Sequence, residues 1–273
     1  MQLKFEKHIT VTKKEQPIIE CLFDVVELSK QKIKRAMQNG AVWLESAQGI
    51  ARVRRATKIV KQNELVHLYY DSKIQADKPQ AAKLIVDEGD YSIWNKPSGM
   101  YSQGSKWGDH CTIYRWAEQN LKPERPAFIV HRLDRAAHGL MLLAHKKSVA
   151  SQLSTMFAKN EIYKRYKAQV EGKLTIQALP FEINSMLDGK TAVTEIVSIT
   201  VDEISNSTEI EVVIKTGRKH QIRKHLSEIG HPIVGDRLYG AKNLEDDLQL
   251  SSVCLKFNCP VTGQQKTYNL SDN

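Results

Sequence analysis

Two apolar runs, Ala127-Phe128-Ile129-Val130 and Leu140-Met141-Leu142-Leu143-Ala144, bracket the polar stretch His131-Arg132-Leu133-Asp134-Arg135-Ala136-Ala137-His138-Gly139. Each run is continuous in apolar side chains and too short for a buried helix, so each reads as a strand covered on both faces. The stretch between them is then a loop held at both ends by rigid core, the setting in which catalytic groups tend to lie. It carries a carboxylate, Asp134, with Arg132 and Arg135 on either side. Alone, an Arg-Leu-Asp sequence is more often a structural or surface ion pair, so the weight falls on what surrounds it.

The chain of 273 residues has room for one large domain or two smaller ones. Its net charge is +9, which points to a polyanionic partner. Residues 29–61 hold nine basic residues against Glu45 alone, a net of +8, so nearly all the excess sits in one segment. No apolar run approaches a membrane span, and Met1-Gln2-Leu3-Lys4-Phe5-Glu6-Lys7 lacks the apolar stretch of a signal peptide, so a cytoplasmic protein is expected. Cys21, Cys111, Cys254 and Cys259 are scattered as reduced structural thiols would be. Neither G-x-x-x-x-G-K-[ST] nor G-x-G-x-x-G occurs, and no H-E-x-x-H pattern offers a zinc site; no cofactor and no metal are expected.

Ser29 can cap a basic helix that runs to Asn39, with Ile33, Ala36 and Met37 on one face and Gly40 as its stop. Short strands are expected at Ala41-Val42-Trp43-Leu44 and Glu64–Tyr70. Residues 76–83 have linker composition. Beyond them a hairpin is expected around Asp87-Glu88-Gly89-Asp90, helices at 112–121, 148–160 and 219–229, and strands at 162–171, 191–201 and 208–215. On the second of these helices Val149, Leu153, Met156 and Phe157 are placed to pack into a core. Hairpins mixed with scattered helices, without regular strand-helix alternation, indicate an α+β fold.

Four blocks stand in order along the chain: Asn95-Lys96-Pro97-Ser98-Gly99; His131 to Leu140; Lys164-Arg165-Tyr166-Lys167-Ala168-Gln169-Val170-Glu171-Gly172; and Thr216-Gly217-Arg218-Lys219-His220-Gln221-Ile222-Arg223, which continues to Gly230-His231-Pro232-Ile233-Val234-Gly235-Asp236. Together, over residues 84–270, they resemble the RluA-like family of RNA pseudouridine synthases. The resemblance implies a bent, mainly antiparallel mixed sheet with a central catalytic cleft, and the isomerisation of specific uridines to pseudouridine. Asp134 matches the family's aspartate, expected as nucleophile or as base toward the sugar. Arg223 matches an arginine that pairs with it, here through a planar two-point contact. Tyr166 matches the family's tyrosine, as stacking platform, or as base or proton relay at carbon 5. Arg132 resembles the arginine that braces the gap left by a flipped uridine. Lys96, Arg135, Arg218, Lys219 and His220 are candidates to contact RNA. The chain departs from the family at Ala137-His138, where many relatives have Thr-Ser, and after Gly99.

The basic segment with Gly40-Ala41-Val42-Trp43-Leu44 resembles the small RNA-binding domain named after ribosomal protein S-four. On that likeness residues 1–75 form a small basic α/β RNA-binding domain, residues 84–273 the catalytic domain, and Lys30, Lys34, Arg35, Arg52, Arg54 and Arg55 contact RNA. The expected partner is structured RNA, ribosomal rather than transfer RNA, bound by a monomer with no membrane contact. The competing reading is a catalytically inactive RNA-binding or RNA-remodelling protein on the same fold. Retention of Asp134, Tyr166 and Arg223 together speaks against it.

Overall fold

The computed structural model describes residues 2–240 and 247–270. The chain divides into two compact units. One takes in the residues up to Gln80 together with Gln103–Trp116; the other takes in Ala81–Ser102 and the chain from Ala117 onward.

The first unit is built from β1 (Lys4–Thr10), β2 (Glu15–Pro17), α1 (Ile18–Phe23), α2 (Lys30–Gln38), β3 (Val42–Ser46), β4 (Gly49–Arg52), β5 (Ile59–Lys61), β6 (Leu65–Asp71) and α3 (Ser72–Ala76). An antiparallel sheet runs in the order β1-β6-β3-β4, and β2 pairs with β5. Helix α2 starts and stops where the sequence indicates. The Lys32 amide donates to Ser29 Oγ at 3.3 Å, and Gly40, at φ 81°, lies just past the helix end. Ile33, Ala36 and Met37 are wholly buried against Ile18, Leu22, Val66 and Leu68, which leaves Lys34 and Arg35 in water. Strand β1 escapes a reading by pattern because only Phe5 and Ile9 turn inward among its charged neighbours.

Two arginines expected to face RNA turn inward instead. Asp109 is 2 % exposed and accepts from Arg52 at 2.9 Å, from Arg54 at 2.6 Å and from the Tyr114 hydroxyl. Arg52 also donates to the Gly40 carbonyl and Arg54 to the Gln38 carbonyl. Burial alone would raise the Asp109 pKa, but the hydrogen bonds and the two guanidinium charges outweigh it and hold the carboxyl below its usual range. Residues 103–116, which the family resemblance places in a catalytic domain over residues 84–273, therefore contribute a buried anchor to the first unit.

The second unit contains β7 (Lys83–Asp87), β8 (Tyr91–Lys96), β9 (Phe128–Ile129), β10 (His138–Ala144), α5 (Lys147–Ala158), β11 (Tyr163–Glu171), β12 (Phe181–Leu187), β13 (Lys190–Asp202), β14 (Ser207–Ile214), α6 (Gln221–Glu228), β15 (Leu250–Asn258) and β16 (Gln265–Asn269), with α4 (Ile113–Asn120) entering it from the first unit. Its ten strands form one sheet in the order β12-β13-β14-β11-β15-β10-β8-β7, with β16 on β15 and β9 on β10. Every pairing is antiparallel except β10 with β15, so the fold is α+β with a mainly antiparallel mixed sheet, as expected. From Gly139 to Ala144, β10 is buried at every residue, which is why its sequence is apolar without alternation. Leu140, Leu142 and Ala144 join Val149 and Leu153 of α5 in one core.

The parallel pairing brings His138 opposite Ser251 and Gly139 opposite Ser252. It leaves no space for a side chain: a Cβ on Gly139 would lie 2.4 Å from the Ser252 carbonyl oxygen and 2.6 Å from its nitrogen, and φ there is 108°. Gly139→Ala is expected to destabilise the protein by at least ~1–3 kcal/mol, since both the backbone angle and the close approach forbid a Cβ. A lower urea midpoint with an unchanged m value is the measurement to look for.

Candidate active site

Loop 130–137 leads directly into the central strand β10, and its shape is set by the turn at residues 96–102. The Ser102 hydroxyl donates to the Leu133 carbonyl at 2.6 Å and accepts from the Leu133 amide at 3.1 Å. Ser98 Oγ donates to the Ala136 carbonyl at 2.8 Å, the Gly99 amide to the Arg135 carbonyl at 2.8 Å, and Arg135 Nε to the Gly99 carbonyl at 3.0 Å. Lys96 closes the clasp. Wholly buried, it donates from Nζ to the carbonyls of Met100, Pro97 and Arg135 at 2.9, 3.0 and 3.3 Å. Burial pushes its pKa down to about 8, against the opposing pull of the Asp134 charge. This corrects the expectation for Lys96: with no surface to offer, it is a strut of the loop and not an RNA contact.

His131, at the head of the loop, is also scaffold. The Leu142 amide donates to its Nε2 at 2.9 Å, and its ring stacks on Phe157 with centroids 4.4 Å apart. Burial first, and the nearby Lys164 ammonium second, push its pKa down to about 3, so the ring is neutral at physiological pH. Phe157 packs against the core that Val149 and Leu153 fill, as expected, and, being half-buried, also lines the cleft.

The clasp presents Asp134 to a cleft of about 570 Å³. Asp134 Oδ2 accepts from Arg223 Nη1 at 3.1 Å, and its side chain keeps 26 % of its surface exposed. Arg223 stands on α6, 6 % exposed, and its two-point contact is made elsewhere. Nε and Nη2 each donate to Asp236 at 2.7 Å, and Asp236 is held in turn by the amides of Leu238 and Tyr239. The expected fork onto Asp134 is therefore corrected: one nitrogen reaches Asp134 while the other edge of the guanidinium is locked on Asp236. Burial opposes ionisation of Asp236, but the Arg223 hydrogen bonds and charge and the two amides depress its pKa.

His220 precedes α6 with φ 54°, a left-handed conformation unusual for a residue with a side chain. Its Nδ1 lies 2.9 Å from the Tyr239 hydroxyl, and its Nε2 approaches Asp134 Oδ1 only to 3.7 Å, beyond hydrogen-bonding distance. Gln221 is buried and fully used: it accepts from Thr216 and the Arg218 amide and donates to Val193 and Thr194. Tyr166, on β11, is 7 % exposed and lines the same cleft. Burial, and then the Asp134 charge, raise its pKa, so the phenol keeps its proton at neutral pH. The site thus offers an oriented, partly open carboxylate beside a protonated phenol and an aromatic face.

Of the basic residues expected near it, Arg132, Arg218 and Lys219 line the cleft; Arg132 and Lys219 are exposed, while Arg218 is half-buried and donates to the Thr191 carbonyl. Arg135 lies over the Tyr101 ring at 4.4 Å. In the first unit Lys34, Arg35 and Arg55 are exposed, and Lys30 pairs with Glu20 at 2.7 Å. Sequence reasoning missed Asp236 as the anchor of Arg223 and Ser102 as the anchor of the loop. The signal for Asp236 was its place in the Gly235-Asp236 turn of the fourth block.

Comparison with known proteins places residues 90–228 under the family model for RNA pseudouridylate synthase. The chain is 32% identical over 212 residues to the dual-specificity RNA pseudouridine synthase RluA of Salmonella typhimurium, covering 70% of this chain and 94% of that protein. It is 26% identical over 279 residues to ribosomal large subunit pseudouridine synthase D of Zymomonas mobilis, covering 90% and 86% respectively. Its fold is similar to that of human RNA pseudouridylate synthase domain containing 1, at a TM-score of 0.59 and 19% identity over 72% of this chain and 86% of that one.

Asp236→Ala is expected to cost about 3–5 kcal/mol, because it leaves a buried guanidinium short of a carboxylate. Lys224→Gln breaks only the exposed pair with Asp188 and should cost less than about 1 kcal/mol. The Asp236 pKa is depressed on folding, so its contribution is complete above an unfolded pKa of about 4 and is lost as pH falls through the folded value. Urea denaturation at neutral and acid pH should show the gap between wild type and Asp236→Ala narrowing in acid.

Proposed function

The chain belongs to the RluA-like RNA pseudouridine synthases, enzymes that isomerise uridine to pseudouridine in RNA, and on that premise we propose that Asp134 is the nucleophile that opens the glycosidic bond. The observation that carries this reading is the Asp134–Arg223–Asp236 arrangement, a partly open carboxylate at the floor of a cleft, oriented by a guanidinium that is itself fixed from behind. Attack by the carboxylate on the sugar carbon releases uracil from nitrogen 1. The freed base turns to present carbon 5, the sugar carbon bonds there, and Asp134 leaves unchanged. The hydrogen displaced from carbon 5 is lost as a proton and nitrogen 1 ends protonated, so atoms balance within the nucleotide and its proton exchange with solvent. Tyr166 retains its proton, which favours it as stacking platform and hydrogen-bond donor over standing base. Arg132 is read as the side chain that braces the gap left by the flipped base, a reading supported by its exposure on the loop two residues before Asp134.

The first unit is read as the RNA-holding part, with Lys34, Arg35 and Arg55 as its phosphate contacts, and residues 1–75 with the following linker as its main body. Ribosomal RNA is the favoured substrate. The match to a protein named for the large ribosomal subunit extends over 90% of the chain and supports this choice. The protein is read as a cytoplasmic monomer. Among the described residues no helix is long and apolar enough to cross a membrane.

Mapping pseudouridine across all RNAs in cells with and without the gene identifies the substrate; sites that vanish only from transfer RNA would overturn the ribosomal assignment. On the RNA so found, purified Asp134→Asn should form no pseudouridine while binding within a few-fold of wild type, and retained turnover would remove Asp134 from the mechanism. A triple variant, Lys34→Gln, Arg35→Gln and Arg55→Gln, should flatten the log–log salt dependence of binding by about 0.7–0.9 for each phosphate no longer neutralised. An unchanged slope would make this face a solvated surface only.

A further inference from the structure

Among the described residues, the cleft contains a cation left without a partner. Lys164 is 5 % exposed and lines the cleft, yet among the described residues it has no hydrogen-bond acceptor and no carboxylate; the Phe157 ring lies 5.9 Å from its Nζ, and the neutral His131 ring is close enough to feel its charge. Its surroundings make this unusual. On the other face of β11, Arg165 pairs with Glu211 at 3.0 Å and Lys167 with Glu209 at 2.9 Å. The other buried lysine, Lys96, has three carbonyls. Burial lowers the Lys164 pKa with no compensating charge, while Nζ itself is not sealed off and keeps accessible surface in the cleft lining.

We propose that Lys164 is a phosphate-binding residue of the cleft, receiving the RNA phosphate next to the nucleotide that lies on Tyr166. Lys164 and Tyr166 are two residues apart on one strand face, about 7 Å along the strand, the scale of a step from a sugar to a neighbouring phosphate. A base carbonyl would offer a hydrogen bond without charge, whereas a phosphate supplies the anion that balances the ammonium. Arg132, Arg218 and Lys219 border the same cleft and extend a basic track outward from this point. This assignment rests on the cleft being where the target nucleotide binds, and it adds a contact that fixes the nucleotide's backbone.

The test uses the full chain and a synthetic RNA hairpin carrying the uridine found by mapping, together with hairpins in which each phosphate flanking that uridine is replaced singly by a neutral methylphosphonate. Lys164→Met, close in shape, should weaken binding of the unmodified hairpin by about tenfold or more. One methylphosphonate should weaken wild-type binding comparably and add nothing in Lys164→Met. The same variant should leave Tm unchanged or higher, because the ammonium it removes has no partner among the described residues. Lys164→Gln serves the same comparison if Lys164→Met does not fold. Unchanged affinity, an undiminished penalty on every methylphosphonate hairpin, or a fall in Tm accompanying the weakened binding would overturn the proposal. Asp134→Asn in the same binding assay keeps the two readings apart: its affinity depends on the cleft and its turnover on the nucleophile, so turnover retained by Asp134→Asn defeats only the nucleophile assignment.

Discussion

A single guanidinium shared between two carboxylates organises the catalytic unit. Arg223 is too deeply buried to be held by water, and Asp236 supplies both oxygens that fix its plane. Its remaining nitrogen then reaches across 89 residues of sequence to Asp134. Two carboxylates against one guanidinium leave the trio with a surplus negative charge, and that surplus faces the cleft, because Asp236 is wholly enclosed whereas Asp134 is not. The border of the cleft carries Arg132, Arg218, Lys219 and Lys164. These side chains give the cleft lining an attraction for a polyanion, while its negative charge is held on Asp134.

Such a division works only if Asp134 cannot drift, and the loop that carries it is fixed from three directions. The turn at 96–102 grips it through Ser98, Ser102 and Lys96. Strand β10 takes up the chain at His138, where Gly139 lets β15 approach within backbone contact. His131 accepts an amide of β10 and rests on Phe157, with its basicity suppressed by burial. These contacts form before substrate arrives, so the geometry needed at the reacting carbon carries no ordering cost on binding.

Much of this was legible in the amino-acid order. The apolar runs around Asp134 announced a loop on a buried strand, the Ser29 and Gly40 signals bounded α2, and the four blocks brought Asp134, Tyr166 and Arg223 to one cleft. What failed was the direction in which charged side chains point. Lys96, Arg52 and Arg54 read as surface charge, yet each finds carbonyls or a carboxylate inside its own unit. Nothing in a basic residue's identity distinguishes an ammonium facing phosphate from one tying a loop. Asp109 illustrates the same limit: its role depends on residues 103–116 joining a unit whose other members end at Gln80. Strand β1 was missed because its inward-turning side chains are too sparse to mark a period.

The parallel pairing of β10 with β15 also constrains how the protein is made. His138 and Ser251 are neighbours in the sheet but more than a hundred residues apart along the chain, so this join has a high contact order and closes late. On the ribosome, Asp134, Tyr166 and Arg223 all emerge before the strand that lies between β10 and β11. Until β15 inserts, β10 and β11 each present an open edge, and the cleft has no continuous floor. A chain in which β15 has not yet paired therefore lacks the strand that joins the β10 side of the sheet to the β11 side, and the loop of Asp134 and the strand of Tyr166 are not yet held in one sheet.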